Sequence, residues 1–354
     1  MNKTKVLFFL QSACGGAERM TVTIAKMFDV TRYDVVLIII THKNTARTIE
    51  AFVPQGYRRK YIAYNSGMKL LINLFNCVRE EKPDIVFSSA MHINSKLLAT
   101  SWMFPKTRYI VRNDNYLYTL SYLQKLQLKY TYTFADKVVV QTDEMYKELI
   151  NMGWVKEEKV VTLHNPIDKI FIDSKASEPS PYMDNNKKKY VASGRFDYVK
   201  GFDILVRAFK VVSETQSNSE LYIIGDYDYN DRRQAYHNEI STLIKELQLT
   251  DKVLCVGFQD NPYKYVKNAD VFVLSSRNEG LPNVLIEALY LGTPVAATTC
   301  IPVISRIVEE GKTGFLSDVE NPISLAEAML KASRLGRVIS TYQPTSKDAF
   351  MSLL

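Results

Sequence analysis

Two glutamates eight positions apart, Glu279 and Glu287, stand in the segment SSRNEGLPNVLIEALYL, with Gly280, Leu281, Pro282, Asn283 and Val284 between them. Apolar residues at helical spacing follow Pro282, and the apolar run DVFVL precedes the segment. The spacing therefore predicts strand, loop and helix, with Glu279 in the loop and Glu287 about one turn into the helix. Proline suits a first helical turn, where its missing N–H costs nothing. A helix N-terminus reached through a glycine-containing loop presents backbone N–H groups that attract an anion such as phosphate. Carboxylates aimed at that phosphate would repel it, so here they suit neutral hydroxyls. Phosphate and hydroxyls together describe a nucleotide sugar.

Arg195 and Lys200 lie five apart in SGRFDYVKG, in another predicted strand-to-helix loop. The arginine fork and the lysine point charge can converge on one diphosphate. Alone, they also fit two solvated loop cations; beside the glutamates of the same predicted domain, the diphosphate reading is favoured. Gly15-Gly16 follows the first predicted strand and either brings backbone amides against phosphate or makes a bare turn. It is not the G-x-G-x-x-G fingerprint, and no acid ends the second strand to hold an adenine ribose, which weakens a dehydrogenase reading. His92, just past a predicted strand, is either a hydrogen-bond donor to substrate or a partly buried histidine without a role. His42 and His164 receive no function. No histidine–carboxylate cluster has metal spacing, and no G-x-S-x-G elbow or cysteine–histidine signature is present.

The elements that must position these residues alternate. Strands are predicted over 5–10, 35–40, 84–87, 109–111, 137–140 and 160–163, and helices over 15–28, 69–81, 92–100, 117–134 and 143–152. Residues 51–67 read as irregular. A stretch rich in proline, serine and aspartate, ending in Lys187-Lys188-Lys189, reads as a linker with its lysines in water. A second series follows: strands over 190–192, 221–225, 253–256, 271–274 and 295–298, and helices over 202–214, 231–247, 261–268, from 282–283, 303–309 and 322–334. Residues 311–314 read as a turn. The domain reading is 1–165, a linker over 166–189, a second domain over 190–335 and a tail over 336–354. Alternating strands and helices imply two doubly wound α/β domains with parallel sheets and ligands beyond the carboxyl ends of the strands.

Composition narrows the class. The chain has 354 residues, 46% hydrophobic and 23% charged, with net charge +7, which is the balance of an ordinary folded protein. The positive charge has no basic run longer than three residues, so nucleic acid is poorly supported as a partner. The four cysteines, Cys14, Cys77, Cys255 and Cys300, are far apart and read as small buried residues of a reducing compartment. No run approaches the ~18 apolar residues that would cross a bilayer. MNKTKVLFFLQSAC imitates a lipoprotein leader, but its apolar core Val6–Leu10 is shorter than the roughly seven residues such a leader needs; it reads as the first strand of a cytoplasmic enzyme. Aromatic and basic residues mix over 57–61, 102–112 and 116–132, a composition that suits a membrane–water interface as well as ordinary packing.

SGRFDYVKGFDILVRAF, IIGD, SSRNEGLPNVLIEALYLGTPVAAT and GKTGFL together resemble the nucleotide-binding half of retaining glycosyltransferases of family 4, also called group 1. FFLQSACGGAERM resembles that family's first loop, and PDIVFSSAMHINSKLLA its cleft-lining segment, so the resemblance spans Lys5 to about Leu330. It implies the GT-B fold, two Rossmann-like domains facing a central cleft. It implies retaining transfer from a nucleotide diphospho-sugar, with uridine the commoner base, to an acceptor hydroxyl. Glu279 would hold donor-sugar hydroxyls and Glu287 the ribose. Arg195 and Lys200 would bind the diphosphate and stabilise the leaving group. Gly16 would approach that diphosphate from the first domain, and the loop of Gly280, Leu281, Asn283 and Val284 from the second. Phe258 would seat the base, and His92 would touch the sugar. The catalytic set so implied is Arg195, Lys200, Glu279 and His92, with no cofactor or metal. The partners implied are a nucleotide sugar and a glycan or polyprenyl-diphosphate-linked acceptor of bacterial surface polysaccharide, met in the cytoplasm or at the anionic inner membrane face.

The rivals are a sugar-nucleotide epimerase on the same fold and a non-catalytic nucleotide-sugar-binding protein; intact acids and cations argue against the latter. Two departures stand out. Cys300-Ile301-Pro302 replaces the family's glycine-rich turn near the donor sugar, and the stretch after Arg334 is short, so that its return to the first domain is expected to be reduced.

Overall fold

The computed structural model describes residues 3–13, 15–42, 48–182, 186–225 and 231–353. Cys14 and the aspartate of IIGD, Asp226, lie outside the described residues. The chain divides into two compact units, Met1–Ile167 with Pro344–Leu354, and Asp168–Gln343.

The first unit runs β1 (Thr4–Gln11), α1 (Gly16–Ala25), β2 (Tyr33–His42), β3 (Arg58–Tyr64), α2 (Gly67–Glu81), β4 (Ile85–Ser88), α3 (Met91–Ala99), β5 (Arg108–Asn113), α4 (Tyr122–Thr131), β6 (Lys137–Val140), α5 (Asp143–Asn151) and β7 (Val160–Thr162). Its strands form one parallel sheet in the order β3-β2-β1-β4-β5-β6-β7. The second unit runs α6 (Lys169–Ala176), β8 (Lys188–Ser193), α7 (Phe202–Thr215), β9 (Ser219–Ile224), α8 (Asp231–Glu246), β10 (Val253–Gly257), α9 (Tyr263–Asn268), β11 (Val271–Leu274), α10 (Asn283–Tyr290), β12 (Val295–Thr298), α11 (Ile304–Ile307), β13 (Gly314–Ser317) and α12 (Pro322–Ala332). Its parallel sheet has the order β10-β9-β8-β11-β12-β13. Helix α13 (Lys347–Met351) belongs to the first unit.

Both sheets thus share the 3-2-1-4-5-6 winding of a Rossmann-like domain, as the alternating sequence implies. In each, winding reverses beside the first strand, between β1 and β4 or between β8 and β11, and opens a crevice at the carboxyl ends. Central parallel strands are covered on both faces, which is why Val6–Leu10 and Val271–Leu274 are continuous apolar runs and fully buried.

The structure departs from the sequence reading at several elements. The stretch read as irregular contains β3, an edge strand in which only Ile62 is buried. Its Arg58 and Lys60 pair with Asp34, Glu80 and Glu81, so charge rather than apolar alternation fills its faces. The single helix expected over 117–134 is a 3₁₀ turn, then α4, then a second 3₁₀ turn, because Ser121 and Gln124 form a reciprocal capping box that starts a new helix. Within 166–189 the chain forms α6, which packs on α9, and begins β8. Lys189 is not solvated: it is 3% exposed and bonds Glu220 at 2.8 Å. The turn at 311–314 leads into a further edge strand, β13, where a Cβ on Gly314 would fall 2.3 Å from the Val295 carbonyl oxygen. The expected reduction of the tail's return is also revised. Phe350 of α13 is buried and Arg108 donates to the Leu353 carbonyl at 3.0 Å, both within the first unit.

Candidate active site

In the second unit, the β8–α7 and β11–α10 loops flank the winding reversal and are locked together. Phe196 is fully buried against Phe202 and His237, which anchors the first loop while Arg195 points to solvent. The aliphatic stem of Lys200 runs over Gly194, where an added Cβ would lie only 3.3 Å from its Cγ and Cδ. Gly201 has φ +62°, and a Cβ there would sit 2.1 Å from the Ser275 carbonyl oxygen. The Ser275 hydroxyl donates to the Lys200 carbonyl at 2.8 Å. A glycine is therefore required at 201 both for its conformation and for the close approach of the two loops.

That approach brings Lys200 and Glu279 together. Nζ of Lys200 lies 2.6 Å from Oε1 of Glu279, and the Ser276 hydroxyl donates to the same oxygen at 2.6 Å. Both charged side chains are mostly buried, at 17% and 11% exposure, so the pair is well shielded from solvent screening. Cys300 lies beside it: burial first, and then the Glu279 charge, push its thiol up to about 12. The N-terminus of α10 follows directly, with Pro282 at the cap and no side-chain cap bond. Gly280 and Leu281 form the loop between, Leu281 being buried. Glu287 is half-buried one turn into α10 and accepts from the Tyr263 hydroxyl of α9 at 3.3 Å. Phe258 is exposed just past β10, after a bulge at Gly257 with φ +70°.

Arg277 was not singled out by its sequence, yet it braces both loops. Its guanidinium is bidentate to Asp203 at 2.7 and 2.8 Å, bonds Glu320 at 2.5 Å, and stacks 3.7 Å above the Tyr198 ring. Its backbone N–H donates to Val199 at 2.7 Å. Burial alone would lower its pKa, but Asp203 and Glu320 outweigh it and raise it. Burial likewise raises Asp203, and the bonds from Arg277 and Tyr236 bring it below the usual carboxylate range. The arginine stood inside the quoted SSRNEG motif, but its partners are about 70 and 40 residues away and nothing local announces them.

In the first unit, Gly16 opens α1 behind Gly15, which is extended and whose added Cβ would meet the Glu18 carboxylate at 2.5 Å. His92, in the first turn of α3, lies 3.1 Å from Gln11 Nε2 at the end of β1, so the histidine does stand beside the winding reversal. Its ring is reached by solvent, yet enough protein surrounds it that desolvation, then Lys96, lower its pKa. A residue the sequence did not mark is Arg112 at the end of β5. It is 1% exposed, bonds Asn165, and its Nε and Nη1 have no hydrogen-bond partner among the described residues. Desolvation lowers its pKa to about 10, against opposing charges on Asp114 and Glu18. Among the described residues, no group of three or more His, Cys, Asp or Glu is arranged to hold a metal ion.

Two Rossmann-like units, each with charged or glycine-bearing loops at its winding reversal, define a two-domain α/β protein. The family model for glycosyl transferases group 1 matches residues 173–342, and that for glycosyltransferase family 4 matches residues 14–169. The chain belongs to this group 1, family 4 glycosyltransferase family. It is 32% identical over 252 residues to an uncharacterised glycosyltransferase of Methanocaldococcus jannaschii, covering 66% of this chain and 60% of that protein. It is 25% identical to the N-acetylgalactosamine-N,N'-diacetylbacillosaminyl-diphospho-undecaprenol 4-alpha-N-acetylgalactosaminyltransferase of Campylobacter jejuni, covering 97% of this chain and 94% of the relative. Among solved structures, Anabaena HepE in complex with UDP and glucose superposes with a TM-score of 0.79 at 19% identity, over 94% of this chain and 92% of that one. At that identity the likeness shows the fold.

Proposed function

We propose that this chain transfers a sugar, with retained anomeric configuration, from a UDP-sugar to a hydroxyl of a lipid-linked glycan in bacterial surface-polysaccharide synthesis. The observation that carries the reading is the shielded Lys200–Glu279 pair at the winding reversal, next to the uncapped N-terminus of α10. It sets a cation, a hydroxyl acceptor and helix amides around one point, which is what a phosphate bonded to a sugar requires. The UDP and glucose bound by HepE and the undecaprenol-linked acceptor in the Campylobacter relative's name support the donor and acceptor classes.

In this reading Lys200 exchanges its bond to Glu279 for the donor diphosphate, which frees Glu279 to accept from sugar hydroxyls. Arg195 and the α10 amides share the diphosphate charge, and no metal is assigned. Glu287 holds the ribose and Phe258 seats the base. The C1–O bond to the diphosphate breaks while the acceptor oxygen bonds C1 from the same face. The acceptor proton passes to the departing phosphate oxygen, so no protein carboxylate acts as nucleophile. The demand on the protein is leaving-group neutralisation and orientation. Binding is screened by calorimetry with UDP, GDP and ADP, then with their sugars, followed by separation of products. Preferential UDP binding and release of free UDP in the presence of acceptor are expected. Absence of nucleotide binding, or an epimerised UDP-sugar as sole product, would overturn the reading.

A further inference from the structure

Helix α4 carries its apolar residues on the wrong side for a surface helix. Only Leu128 of the helix is buried, and Tyr132 just beyond it is buried on the same side. The opposite side presents Tyr122, Leu123 and Tyr130, between 64% and 77% exposed, with Leu126 between them at helical spacing. Phe134, in the 3₁₀ turn that follows, extends the stripe and is half exposed. Lys125 and Lys129, one turn apart, stand along its edge. Helix α3 packs against α4, and the turn at its end exposes Trp102 and Met103.

Charge says what covers this face. From residue 90 to 135 the chain carries Lys96, Lys106, Arg108, Lys125 and Lys129, besides the buried Arg112, against one acid, Asp114. An apolar and aromatic stripe edged by lysines and almost free of carboxylates is complementary to an anionic headgroup layer over an acyl boundary. No helix of the described residues is long and apolar enough to cross a membrane. We infer that the outer face of α4, with Trp102 beside it, seats the first unit on an anionic bilayer. The chain lies on that surface through tyrosine, tryptophan and leucine and is held by its lysines. This deepens the lipid-linked acceptor reading by naming the surface that meets the lipid, but its test needs neither donor nor acceptor.

The full chain is floated with vesicles of phosphatidylcholine alone and with vesicles that also contain phosphatidylglycerol, at low and high salt. The wild type is expected to float with the anionic vesicles at low salt. The double variant Leu123→Asp/Tyr130→Asp should lose binding at least about tenfold, the scale of withdrawing two large apolar groups from an interface. Lys125→Gln and Lys129→Gln should each weaken it about fivefold, from roughly 1 kcal/mol per basic residue near an anionic surface, and only on the anionic vesicles. Leu123 and Tyr130 lie on the outer side of α4 with Lys129 exposed and Lys125 half-buried at its edge, and UDP affinity measured on the same preparations separates loss of the membrane face from failure of the donor reading. A wild type that stays soluble at low salt, or variants that float as it does, would overturn the proposal. So would a concentration-dependent dimer in sedimentation that Leu123→Asp abolishes while flotation is unchanged, which would assign the face to a second copy.

Discussion

Replacing Gly201 by alanine tests the close approach of the β8–α7 and β11–α10 loops. The residue has φ +62° and would place a Cβ 2.1 Å from the Ser275 carbonyl oxygen. The left-handed conformation alone costs an alanine about 1–2 kcal/mol. Relieving the contact moves one backbone away from the other by about 1 Å, at an overpacking cost of roughly 1–3 kcal/mol. Gly153→Ala is the matched control, because Gly153 has φ +63° and nothing within 4 Å of the added Cβ. The first variant should lose about 2–5 kcal/mol and the second only the conformational 1–2 kcal/mol. For a unit the size of Asp168–Gln343, the first loss lowers the calorimetric transition by roughly 10 °C, at about 2–4 °C per kcal/mol. The same displacement pulls Lys200 from Glu279, so nucleotide affinity should fall with stability in Gly201→Ala and stay unchanged in Gly153→Ala. Equal losses in the two variants would refute the close approach of the loops.

Other outcomes follow from the same geometry. Arg195→Ala and Lys200→Ala should each slow sugar transfer at least about 100-fold, the scale of losing a main charge stabiliser; near-wild-type turnover in steady-state assays would remove either from the proposed site. Glu287→Ala should chiefly weaken UDP binding in calorimetry, and unchanged affinity would argue against a ribose contact. Glu220 is raised by burial but held down to about 2, from an ordinary 4.5, by its bonds from Lys187, Lys189 and Tyr222. Because its folded pKa lies below the unfolded one, its contribution is complete above pH ~4.5 and is lost as pH falls toward ~2. At neutral pH it amounts to roughly 3 kcal/mol. Acid unfolding of Glu220→Gln should therefore be flatter over that window than that of the wild type.

Much of the architecture is legible in the residues because central parallel strands are buried on both faces. VLFFL, VVLIII and VFVL are apolar without interruption and are bounded by loop residues, so local sequence and tertiary burial agree. The edge strands β3 and β13 are half solvated, and β3 fills its exposed side with Arg58 and Lys60, so no periodic signal marks it. The break before α4 depends on a side-chain cap at Ser121 that competes with a continuous helix, and the apolar stripe of α4 looks like ordinary packing until burial shows which side Leu128 takes.

The residue types of the candidate site also belong to the sequence: Arg195, Lys200 and Glu279 stand in two strand-to-helix loops whose glycines and proline announce turns and a helix start, and Glu287 stands in the helix that follows. Their meeting does not. Lys200 reaches Glu279 across 79 residues because β8 and β11 are neighbours in the sheet and Gly201 lets the loops touch. Arg277 finds Asp203 and Glu320 by the same means, and Lys189, the last of three lysines that look solvated, is buried on Glu220 by the pairing of β8 with β9. Local chemistry determined which groups were available. Sheet order and the close approach of backbones decided which of them face one another, because charge pairing acts over a few ångströms of space and is blind to distance along the chain.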